Sequence, residues 1–177
     1  LSKRYVFGSD TLYWNLDRIL DDILKLQRDK ITIEGLGEKV SALKKSLPPD
    51  LSARDIAKYD SFLDDAFAKV YDGYRALQLK NSIEEQKALA SVLNSTANDS
   101  KIAELEKLLP KMMKEVNSGD AASVEKTAAA AQKILDECKK NNQGYVEGVS
   151  KGGSFGRFGW MTSASIGSYS SGDGLLA

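Results

Sequence analysis

The chain has 177 residues, 42% of them hydrophobic, and 25 Lys and Arg balance 25 Asp and Glu. A neutral total argues against a nucleic-acid binder, which carries a net basic surface. Histidine is absent, which removes Ser–His and Cys–His nucleophiles, His-ligated zinc or haem, and any imidazole acid–base step.

One domain of this length buries about 70% of its unfolded surface, so a core needs no staples. Cys138 has no second cysteine to pair with and reads as a small apolar residue on a helix face. No apolar run approaches the roughly 20 residues of a membrane span. The chain opens at Leu1 without a methionine, so either a targeting segment is expected to have been removed or the sequence begins partway along its precursor, with processing the favoured expectation.

Residues 1–143 are predicted to form a helical bundle domain behind a short lead that carries Tyr5, Val6 and Phe7. A first helix is expected from Ser9 or Asp10 to Lys30, because these two side chains can cap the first amides. Leu12, Leu16, Ile19, Leu20, Ile23 and Leu26 recur at three-to-four spacing and share one face. Phe7 before the cap can staple the first turn.

Gly35, Gly37 and the Pro48-Pro49 pair break the pattern, leaving a short helix from Glu38 to Leu47 in a crossover. Ser52-x-x-Asp55 resembles a capping box and opens a second long helix. Its stripe is Ile56, Tyr59, Leu63, Phe67, Val70, Tyr74 and Leu77. Ser82-x-x-Glu85 repeats the signal and predicts a third helix through Leu89, Val92 and Leu93.

The polar run 94–100 ends or kinks that helix. Asp99 or Ser100 then caps a segment carrying Ile102, Leu105, Leu108, Leu109, Met112, Met113 and Val116, which Pro110 is expected to bend or split. Asn117-Ser118-Gly119-Asp120 is a stop followed by a new cap. The last helix carries Val124, Ala128, Ala131, Ile134, Leu135 and Cys138 and is expected to fade at 139–142, where lysines complement the helix dipole. Short loops and amphipathic helices predict an all-α fold, an antiparallel up-down bundle of four to five helices.

Residues 144–177 are expected to form an irregular, extended tail. They hold nine of the fourteen glycines and seven serines, a linker-like composition. Large apolar groups are nevertheless interleaved with the glycines, on a backbone free to lie close against another surface. Phe155, Phe158, Trp160, Met161 and Tyr169 are therefore read as docking anchors and Arg157 as a rim contact. Tyr5 and Phe7 of the lead are candidate contacts of the same kind.

The other polar clusters carry no chemistry. In Asp21-Asp22 and Asp64-Asp65 neighbouring carboxylates point about 100° apart on a helix. A di-metal bundle site would need Glu-x-x-His pairs. The glycines at 152, 153, 156 and 159 lack the strand, helix and Lys-Ser/Thr of a phosphate loop. Lys44-Lys45 and Lys139-Lys140 read as solvated surface, and Met112-Met113 as core filling. These residues point to no catalysis and no cofactor.

The lead Tyr5–Trp14, the connection Leu47-Pro48-Pro49-Asp50 and the closing helices over 99–116 and 120–138 resemble the PsbQ-like lumenal extrinsic proteins of photosystems, including their algal relatives. That resemblance implies a non-catalytic subunit, peripheral to the membrane in the chloroplast thylakoid lumen, that stabilises neighbouring protein subunits. It implies neither a nucleic-acid partner nor a small-molecule substrate. The tail departs from the group, whose members usually end with their last helix. A second reading is a bundle that carries a small hydrophobic ligand, lipid or pigment, against Tyr59, Phe62, Phe67, Tyr71 and Tyr74.

Overall fold

The computed structural model describes residues 9–150. All their regular structure is helical: α1 (Ser9–Arg28), α2 (Leu36–Ser46), α3 (Ala53–Ala57), α4 (Asp60–Leu93), α5 (Asp99–Ser118) and α6 (Ala121–Ser150). The lead residues Tyr5 and Phe7, with the staple expected there, lie outside the described residues.

α1 buries Leu12, Leu16, Ile19, Ile23 and Leu26 together with Asp22, while Asp17, Asp21, Lys25 and Arg28 are exposed. It closes with Lys30 in the left-handed region at φ 62°. The Lys30 amide donates to Gln27 O at 2.9 Å and the Ile31 amide to Leu26 O at 2.9 Å. This is a Schellman closure, which leaves Leu26 and Ile31 packed as its apolar pair. Asn94 ends α4 and Gly119 ends α5 in the same way.

α2 follows Gly35, whose φ of 75° permits the reversal before it, and stops at the extended Leu47 ahead of Pro48. Ser52 works as the sequence predicts. Its Oγ accepts the Asp55 amide at 3.2 Å and donates to the Asp55 carboxylate at 2.8 Å. The helix it opens is only α3, however, and α4 begins afresh at Asp60.

Ser82 opens no helix. It is buried within α4, a continuous 34-residue helix. A Ser-x-x-Glu pattern caps only where the chain before it has left helical geometry. Here the good helix formers Arg75, Ala76, Leu77, Gln78, Leu79 and Lys80 lead towards Ser82, with no glycine or proline after Gly73. Leu79 and Ile83 continue the buried stripe across it. Pro110 likewise does not split α5. It lies on the exposed side, where water can satisfy the carbonyl that its ring leaves unpaired. Where the sequence put the end of the last helix, α6 runs on through Gly144 to Ser150.

α4 is the central element, in contact with α1, α5 and α6, while α2 packs on α1. Cross-links from α4 to α1 and to the turn that follows it rise together along the chain: Tyr74 to Asp22 at 2.8 Å, Lys80 to Asp29 O at 2.5 Å. Those between α5 and α6 run in opposite order: Lys101 to Glu137 at 2.6 Å, Thr127 to Glu115 at 2.5 Å. Asn117 ties the α1–α2 connection to the end of α5, donating to Thr32 O at 3.2 Å and accepting the Glu34 amide at 2.8 Å.

Candidate functional site

Because helices cover α4 on several sides, its hidden surface includes a second stripe beside the apolar one. Asp72, Arg75, Gln78, Ser82 and Gln86 follow at three-to-four spacing, and all are buried. Burying such groups is costly unless each finds a partner.

At the far end the partners are complete. Asn98 donates to Asn142 Oδ1 at 3.0 Å and to Cys138 O at 3.2 Å, and Asn142 donates to Gln86 Oε1 at 3.2 Å. Asn141 donates to Asn98 Oδ1 at 2.8 Å. Asn98 stands immediately before α5, where a cap belongs, but its side chain reaches α6 and makes no cap. These amides pin the α4–α5 turn to α6. Cys138, buried beside them, has its thiol pushed up to about 11 by burial, so the reactive thiolate is scarce at neutral pH.

At the near end the arrangement is charged. The Arg75 guanidinium donates to the Glu125 carboxylate on α6 and lies 5.9 Å from the centre of the Tyr71 ring. Its Nε has no hydrogen-bond partner among the described residues. The Arg75 hydrogen bond and charge hold Glu125 below the usual carboxylate range. Asp72, one turn before Arg75, is 8% exposed. Burial pushes its carboxyl up to about 6; Arg75 opposes that rise and Glu125 adds to it.

Asp72 forms part of the wall of a cleft of about 360 Å³. α2 contributes Leu36 and Lys39, α4 contributes Phe62, Asp65 and Lys69, and the α5–α6 turn contributes Gly119. A second groove, of about 380 Å³, runs between Tyr13 and Leu20 on α1 and Lys44 and Lys45 on α2. It is more open, and Lys44 is engaged there by Asp17.

Elsewhere, Tyr74 donates to Asp22 at 2.8 Å. Burial is the main cause that raises both groups above their ordinary values. Among the described residues, no group of three or more His, Cys, Asp and Glu side chains is placed to hold a metal ion.

No family model matches the chain, and no curated protein or solved structure matches it either. Phe155, Arg157, Phe158, Trp160, Met161 and Tyr169 lie outside the described residues, as do Tyr5 and Phe7, so the structure brings none of these candidate contacts together.

The candidate ligand-lining aromatics disperse. Phe62 lines the cleft, Phe67 is in the core, and Tyr71 and Tyr74 are committed to Arg75 and Asp22. The polar stripe and the cleft were missed by the sequence reading. Their one signal is the recurrence of polar residues at 72, 75, 78, 82 and 86, parallel to the apolar stripe. Such a row is indistinguishable from a solvated helix face until a neighbouring helix covers it.

Proposed function

We propose that this protein is a non-catalytic structural subunit peripheral to a large membrane assembly, on the lumenal side of a photosystem. It docks on neighbouring protein subunits through the surface of an up-down helical bundle and through its C-terminal tail.

The observation that carries this reading is the outer face of α1. Trp14 is 58% exposed and Leu24 54% exposed. The Arg18 guanidinium lies 5.4 Å from the centre of the Trp14 ring. Tryptophan and arginine dominate protein–protein hot spots, and a ring held by a stacked guanidinium loses little freedom when a partner covers it. No helix among the described residues is long and apolar enough to cross a membrane, which fits a peripheral position. The contacts assigned to the tail are Phe155, Arg157, Phe158, Trp160, Met161 and Tyr169, with Tyr5 and Phe7 in the lead.

The test is gentle isolation from the native source. Comigration with a large pigmented membrane complex supports the reading, and migration alone at the chain's own mass overturns it. Within the complex, removal of residues 151–177 and Trp14→Ala should each weaken retention while the helical circular-dichroism signal stays intact.

The second reading, a carrier of a small hydrophobic ligand, is favoured by the cleft beside Phe62. Native mass spectrometry of purified protein distinguishes the two: a stoichiometric lipid or pigment adduct supports the carrier, and bare protein opposes it.

A further inference from the structure

The cleft between α2, α4 and the α5–α6 turn holds opposite charges that do not neutralise one another. Lys69 stands one turn before Asp72 on α4, the spacing at which opposite charges usually pair. It makes no ion pair with Asp72. Its stem lies against the α5–α6 turn instead, with Cε 3.6 Å from the point where a β-carbon on Gly119 would stand.

Asp72 has its charge partner Arg75 drawn away to Glu125. It is more than nine-tenths buried, and the influences on its carboxyl are burial and two neighbouring charges, with no hydrogen bond among them. Lys39 faces the same space from α2. At the start of α6 the Ser123 amide is already taken by Asp120 at 3.1 Å and the Ala121 amide by Gly119 O at 3.2 Å. The cleft is therefore lined by the buried acceptor-only Asp72, by the exposed Asp65, by two lysines, Lys39 and Lys69, and by the apolar surfaces of Phe62 and Leu36. Its volume lies at the low end of the roughly 300–1,000 Å³ typical of small-molecule sites.

We propose that this cleft binds a small zwitterion, its ammonium donating to the Asp72 carboxylate and its carboxylate or phosphate held between Lys39 and Lys69. A simple amine would meet two lysines, and a simple anion would face the Asp72 and Asp65 carboxylates. A ligand with both charges on a compact apolar body satisfies both kinds of group at once, and charge-assisted hydrogen bonds are the stronger ones. The proposal goes beyond the subunit reading and does not depend on it.

The test is a titration of the full-length chain, followed by amide NMR, with free amino acids and O-phosphoethanolamine. Phenethylamine and 3-phenylpropionate serve as single-charge counterparts of phenylalanine. At least one zwitterion should shift the Leu36, Ala66 and Gly119 amides saturably, with the two single-charge compounds about tenfold weaker or more. Asp72→Asn, and separately Lys69→Met, should weaken that zwitterion by a similar factor. Absence of saturable shifts from every zwitterion overturns the proposal. So does equal binding of phenethylamine, or unchanged affinity in Asp72→Asn with a native-like spectrum.

Discussion

The Cδ1 atom of Leu26 lies 2.9 Å from the point where a β-carbon on Gly73 would stand. Ile33 Cδ1 is 3.1 Å from the same point, so α1 and the start of the crossover close on α4 over a bare backbone. A mid-helix glycine costs about 1 kcal/mol of helix propensity relative to alanine, and at this position it is the residue that fits.

Gly73→Ala is therefore expected to lower stability despite its better helix propensity. Overpacking a dense core costs about 1–3 kcal/mol, against a propensity gain of about 1. Urea unfolding should show a net loss of roughly 1 kcal/mol. In a Leu26→Ala background the same substitution should become neutral or favourable. A sign that does not change there would mean that Leu26 is not the obstacle.

Asp72 makes stability depend on pH. Its folded value, about 6, lies above the ordinary 3.8, so between these values the folded state keeps a proton that the unfolded chain releases. Stability from this carboxyl is thus full at the acid end and falls as pH rises from about 4 to 6. The groups that act on it are Arg75 and Glu125. Asp72→Asn should raise stability at pH 7 by about 1–3 kcal/mol, with the gain vanishing below pH 4. Thermal melts of both proteins across that range check the slope.

The amide cluster at Asn98, Asn142 and Gln86 closes the opposite end of the molecule. Asn142→Ala leaves the Gln86 carbonyl and one Asn98 hydrogen without partners. The unsatisfied groups should cost about 1–3 kcal/mol each. Hydrogen exchange is the informative readout, because protection should drop first around residues 134–142 and the α4–α5 turn. Uniform loss along all helices would show that the cluster has no local role.

Lys30 holds a left-handed backbone that glycine adopts at no steric cost. Its side chain is exposed, so Lys30→Gly should stabilise the chain by up to about 1 kcal/mol. Denaturant midpoints measured beside Gln27→Gly, which places glycine inside α1 and should destabilise, provide the control.

The helical class and most helix ends were legible in the sequence, because local chemistry sets them. Ser52 caps through its own hydroxyl, Gly119 turns the chain because it lacks a side chain, and Pro48 stops α2 by sterics. The apolar stripes of α1 and α5 are the buried ones, since three-to-four spacing puts such residues on one face whatever packs there. Ser82 and Pro110 misled because each signal depends on its neighbours. A capping pattern means nothing inside a helix already under way, and a proline on an exposed face leaves a carbonyl that water can serve. Tertiary structure alone decided which polar residues are hidden. Asp72 and Asp65 are acids on the same helix, yet α6 brings Glu125 to Arg75 and leaves Asp72 buried beside a cleft, while Asp65 stays exposed. No spacing rule encodes that difference, because it arises from which helix covers which face.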